Sequence, residues 1–102
     1  MRYLVSVEPE FQAGNKLDHG PNGPGPLFGY IAERFRPEHF WICADRRKAI
    51  WVIDFDSNAA MAEFLHVAIA RAGATPELQP LLTPEEGMQV LPKAIAAAKS
   101  AP

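Results

Sequence analysis

Residues 38–55 carry two apolar runs, HFWICAD and AIWVIDF, joined by the charged link Arg46-Arg47-Lys48, and they restrict the fold more than any other part of the chain. Both runs read as strands of one hairpin. Side chains alternate along a strand, so Phe40, Ile42 and Ala44 point one way and Trp41, Cys43 and Asp45 the other. In the second run Ala49, Trp51, Ile53 and Phe55 alternate with Ile50, Val52 and Asp54. Both faces are apolar over most of their length. A sheet with one wetted face shows polar residues at every second position, so this pattern predicts a cover on each side.

The 102 residues are enough for one domain, expected over residues 1–102, with a Gly/Pro-rich insertion at residues 12–26. Helices from a chain this short cover one face of a small sheet; a second copy of the sheet would cover the other, which predicts a homodimer. The 48% hydrophobic and 22% charged content is that of a globular chain. Ten basic and twelve acidic residues are mixed, giving a net charge of -2 and no basic patch for nucleic acid or an anionic membrane. No run of about 18 apolar residues spans a bilayer, and MRYLVSVEPE lacks the features of a secretory signal, so the expected compartment is the cytoplasm. Cys43, the single cysteine, sits in an apolar strand and reads as a reduced, packed thiol.

Along the chain, RYLVSVE is a first strand with Tyr3, Val5 and Val7 on one face, ended by Pro9. Residues 11–26 form a long connection in which FQAGNKLD has the makings of a helical turn and GPNGPGP resists regular structure. Leu27, Ile31 and Phe35 space a short helix that stops before Pro37. Beyond the hairpin, Asp56-Ser57-Asn58 offers cap residues. The stripe Met61, Phe64, Leu65, Ala68, Ile69 and Ala72 predicts a helix closed by Gly73. TPELQPLL is an extended segment whose prolines suit a sheet edge. Thr83-Pro84-Glu85-Glu86 is a capping box that opens a last helix, expected to break near Pro92.

Strand, helix, strand, strand, helix, strand is the ferredoxin-like order, so the expected class is α+β: a βαββαβ sandwich with a C-terminal helix, pairing through bare sheets as a dimeric α+β barrel. AIWVIDFDSNAAMAEFLHVAI followed by LQPLLTPEEGMQVL resembles a family of small bacterial proteins without established activity, within the dimeric α+β-barrel superfamily that also holds muconolactone isomerases and cofactor-independent monooxygenases. The resemblance covers residues 38–91 and rests on Asp56, Phe64, Leu65 and the cap at residues 83–86. It implies that fold and cofactor-free chemistry.

Candidate acid-base groups are His39, His66, Glu8 and Asp54, with His19, Asp45 and Asp56 as further titratable groups. No histidine pair has local metal-ligand spacing, so no metal is expected, and the resemblance implies that no cofactor is used. Cys43 lies roughly 13 Å along the strand from His39, too far for a thiolate–imidazole bond. Trp41, Trp51 and Tyr30 are candidate walls of a pocket for a flat or apolar molecule. The expected function is a homodimer binding a small apolar or aromatic ligand; the alternative is a cofactor-independent isomerase or monooxygenase.

Overall fold

The computed structural model describes residues 1–102. Its elements run β1 (Arg2–Val7), α1 (Phe11–His19), α2 (Gly25–Phe35), β2 (His39–Ile42), β3 (Ala49–Asp54), α3 (Asn58–Ala72), β4 (Glu77–Pro80) and α4 (Pro84–Lys99). The four strands form one sheet in the order β2-β3-β1-β4, antiparallel at every pairing. The class is α+β. Register places Trp51 opposite both Val5 on β1 and Phe40 on β2, so these three share the face on which the helices pack.

Alternation decides that face. Val5, Val7, Ala49, Trp51, Ile53 and Phe55 are buried there against Ile31 and Phe35 of α2 and Phe64, Ala68 and Ala72 of α3. Phe64 is the hub: its ring lies 5.2 Å from Phe35, 5.7 Å from Trp51 and 5.9 Å from Phe55, each edge-on. Edge-to-face contact suits the aromatic quadrupole and adds to simple burial. The α3 stripe is narrower than its spacing predicts, because Ile69 remains 41% exposed.

The sheet is open, which overturns the expected dimeric α+β barrel. A barrel needs every strand paired on both sides. Here β2 and β4 are edges of four residues each, and β4 ends at Pro80, which has no N–H to give a further strand. The apolar pattern on the uncovered face also stops short: Leu4, Trp41, Ile50 and Val52 form a strip, but Ser6, Asp54, Glu77 and Gln79 surround it by register. Doubly apolar alternation was a property of the hairpin alone.

The GPNGPGP stretch is short in the fold, and most of the long connection is helix. Glu10 caps α1 by accepting from the Gln12 and Ala13 N–H groups at 3.0 Å each. Those bonds hold its carboxyl below the usual carboxylate range. The Glu10 N–H donates to Ala72 O at 2.8 Å, tying the start of α1 to the end of α3. Gly73 makes that approach possible: at φ 67 it ends α3 left-handed, and a Cβ there would meet Ala13 and Glu10 at 3.2 Å.

The last helix departs from expectation at Pro92. It runs unbroken through Pro92, and none of its 16 residues is buried. Met88, Leu91 and Ile95 are 80%, 49% and 55% exposed. The helix projects from the body, so that the whole chain measures 56 × 28 × 27 Å with a radius of gyration of 16.6 Å; a compact chain of this length measures about 13 Å. Its base is anchored by charge. Arg2 pairs with Glu38 and, at 3.7 Å, with Glu86, and Glu38 is the main reason its guanidinium is held above the usual range.

The capping box sets a pH dependence. The Thr83 N–H donates to Glu86 at 2.9 Å and the Glu86 N–H to Thr83 Oγ1 at 3.1 Å. The Thr83 N–H and then its side chain depress the Glu86 carboxyl. A depressed carboxyl stabilises fully above its unfolded value and loses that contribution as pH falls through the lower folded value. Circular dichroism at 222 nm is therefore expected to show helix loss on acidification below the ordinary glutamate range. Glu86→Gln should remove part of that acid step, and an unchanged acid profile in this variant would contradict the capping assignment.

Candidate functional site

A cavity of about 310 Å³ lies between the sheet and the first two helices. Its floor is Val7, Ala49 and Trp51 of the sheet, and its walls include Leu17 of α1 with Leu27 and Phe28 of α2. These positions follow from the local sequence. Period-two alternation turns Val7 and Trp51 inward, and Pro26 in the first turn of α2 lets the helix start immediately after the turn at residues 20–24, bringing Leu27 and Phe28 over Trp51. The Phe28 ring is 6.2 Å from Trp51, edge-on, and Phe40 stacks on Trp51 at 5.1 Å.

Trp51 is 2% exposed, and its Nε1–H has no acceptor in the protein. A buried donor left without a partner costs about 1–3 kcal/mol, so native chains seldom keep one without reason. The nitrogen itself is closed off from the cavity by the side chains around it, so an acceptor reaches it only if one of them shifts.

Arg47 closes one side. From the β2–β3 link it reaches across α1, with Nε 2.8 Å from Asp18 and Nη2 donating to Asn15 at 3.0 Å. Its guanidinium packs over Gly14, and a Cβ at that buried position would push Arg47 away from Asp18 and Asn15. Lys48 lines the same cavity, so the chamber pairs an apolar interior with cationic residues of the link. Gly14, Leu17 and Asp18 were not among the residues singled out from the sequence, whereas Arg47 and Lys48 stood there as parts of the charged link. The available signal was helical spacing: Asn15 and Asp18 stand at i and i+3 on a capped helix and so present two acceptors on one side.

A wider groove of about 790 Å³ adjoins the first cavity across Leu17 and Leu27, between α2 and α3. Tyr30 and His66 line it together with Glu63 and Arg71. Glu63 is held by Arg34, Nε–Oε2 2.8 Å and Nη2–Oε1 2.9 Å, and this pairing keeps the Arg34 guanidinium above its ordinary range.

The residues proposed from the sequence are thus dispersed. Trp51 lies in the smaller cavity, while Tyr30 and His66 share the neighbouring groove. Trp41 stands on the uncovered sheet face, where His39 stacks on it with ring centroids 5.0 Å apart and planes 7° from parallel. Asp54 is 3.2 Å from the N-terminal ammonium. Glu8 is exposed beyond the end of β1. No three of the His, Cys, Asp and Glu side chains gather as a metal-binding group. No helix is long and apolar enough to cross a membrane.

Compared with models of protein families, with curated proteins and with solved structures, the chain matches none. The likeness over residues 38–91 to small bacterial proteins of the dimeric α+β-barrel superfamily therefore has neither a matching relative nor a closed sheet behind it. Its shared residues account for the loss: Asp56, Phe64, Leu65 and the cap at residues 83–86 end strands, fill cores and start helices in many unrelated folds. The fold and its cavities define an α+β protein with an apolar chamber beneath its helices.

Proposed function

We propose that the protein binds a small apolar or aromatic molecule carrying a hydrogen-bond acceptor, in the cavity over Trp51. The carrying observation is the cavity itself, whose apolar wall of Val7, Leu17, Leu27, Phe28 and Ala49 lies over Trp51, with the cationic Arg47 and Lys48 at one side. A flat ligand buries its body against these side chains and, with a small shift of the side chains that close off the indole nitrogen, offers it an oxygen. Pockets for small organic molecules combine such walls with one or two placed polar groups, and about 310 Å³ lies at the lower end of their usual size. Arg47 and Lys48 favour a ligand whose polar end is anionic, such as an aromatic carboxylate. Asp18 is the one carboxylate lining this cavity, and it is engaged by Arg47, so the chamber holds no free general base.

Titration of the ¹⁵N-labelled protein with a panel of aromatic carboxylates and their neutral amides tests this. The Trp51 indole N–H resonance is expected to move downfield with saturation, more strongly for the carboxylates, while that of Trp41 stays in place. If only Trp41 responds, or neither indole responds to any member at millimolar concentration, the reading fails.

A further inference from the structure

We infer that α4 is an exchanged arm, lying across the uncovered sheet face of a second copy of this chain while the partner's α4 lies across its own. The two surfaces this joins are both unpartnered. On the helix, Met88, Leu91, Ile95 and Ala98 recur at three- and four-residue steps and form one exposed apolar stripe. On the sheet, Leu4, Ile50 and Val52 are half-buried and Trp41 is 56% exposed, with no helix of the same chain over them. Neither surface meets the other within one chain, because α4 leaves the end of β4 and projects outward.

Dimensions agree. A helix of 16 residues is about 24 Å long. The sheet offers four strands spaced about 4.8 Å apart, the central two of six residues, or about 20 Å long. One helix laid diagonally spans that area from edge to edge. Reciprocity follows from symmetry: in a two-fold pair every contact occurs twice, which brings a helix-on-sheet contact into the range of roughly 1,200–2,000 Å² typical of stable complexes.

Charge supports the same occupant. The first turn of α4 is acidic and is held by Arg2 of its own chain, whereas beyond it the helix carries Lys93 and Lys99 and no carboxylate. Glu77, on the uncovered face, makes no ion pair within its own chain. A basic arm arriving from a neighbour finds in Glu77 a carboxylate free to pair with one of its lysines. Sheet-on-sheet pairing does not provide this, and it leaves the arm stripe in water.

Sedimentation equilibrium at micromolar concentration is expected to give twice the chain mass of 11.2 kDa. Leu91→Glu with Ile95→Glu should raise the dimer dissociation constant at least about a hundredfold. Both residues are exposed in the single chain, so the variant keeps its helical signal and its core. Tryptophan emission should shift to the red in this variant, because Trp51 is buried either way and the change reports Trp41 alone. Trp41→Lys, a change on the sheet side, should dissociate the dimer as well. A wild-type monomer, a dimer unaffected by the helix substitutions, or loss of the dimer by the helix substitutions but not by Trp41→Lys would each overturn the arm exchange. The last of these outcomes identifies helix-to-helix pairing.

Discussion

Phe64→Ala is expected to destabilise the chain by about 3–5 kcal/mol, read as a fall in the urea midpoint with little change in slope. Phe64 is 1% exposed and is the side chain on which α3, α2 and the sheet converge. Removing its ring deletes edge contacts to Phe35, Trp51 and Phe55 together, each worth about 0.5–1.5 kcal/mol beyond area burial. Collapse cannot heal the void easily, since Trp51 and Ile53 are fixed by ladder pairing to β1. A domain this small holds roughly 5–15 kcal/mol in all, so the variant should be partly unfolded at physiological temperature. Phe11→Ala, at a position 73% exposed, is the matched control and should change little. A loss below about 1 kcal/mol for Phe64→Ala would mean that the aromatic cluster is not the centre of the core.

How far the chain could be read before its structure depended on whether the signal was local. The cap at Ser57, the stop at Gly73 and the capping box of Thr83 and Glu86 all stand as expected, because each is settled within four residues of sequence. Strand alternation likewise put Val5, Val7, Trp51 and Ile53 on one face. The failures came where a distant partner decides. Glycine and proline in GPNGPGP masked the helix before them, whose stability comes from Glu10 capping it, from the bond to Ala72 and from Arg47 lying over Gly14. Pro92 removes one helix hydrogen bond, but on a projecting arm the freed Met88 carbonyl faces water and α4 continues. That the second face of the sheet would be apolar was inferred from two strands, and the other two brought Ser6, Glu77 and Gln79 to the face that was to be buried in a barrel. For the site, Trp51 was legible as a wall residue. That its N–H lacks an acceptor was not, since this depends on what Phe28, Phe40 and Phe64 place around it, all of them rings without a lone pair to offer.

Trp51→Phe should separate the cost of that N–H from its use. In the free protein the substitution removes a buried donor that has no partner, which favours the variant, and also shrinks the ring, which opens space and disfavours it. The two contributions are each about 1–3 kcal/mol and oppose one another, so the urea midpoint should move only slightly. Ligand binding has no such cancellation. A molecule that gives its oxygen to the indole loses that bond outright and keeps its contacts with Leu27, Phe28 and Val7. At 1.4 kcal/mol per tenfold, the affinity for an aromatic carboxylate should fall roughly 5- to 150-fold, while a hydrocarbon of the same shape should bind about as before. The contrast between the two ligands is the informative quantity, because a mere change in cavity shape would weaken both alike. Equal losses for carboxylate and hydrocarbon would leave Trp51 as a packing residue and its unpaired donor as a cost the fold simply bears.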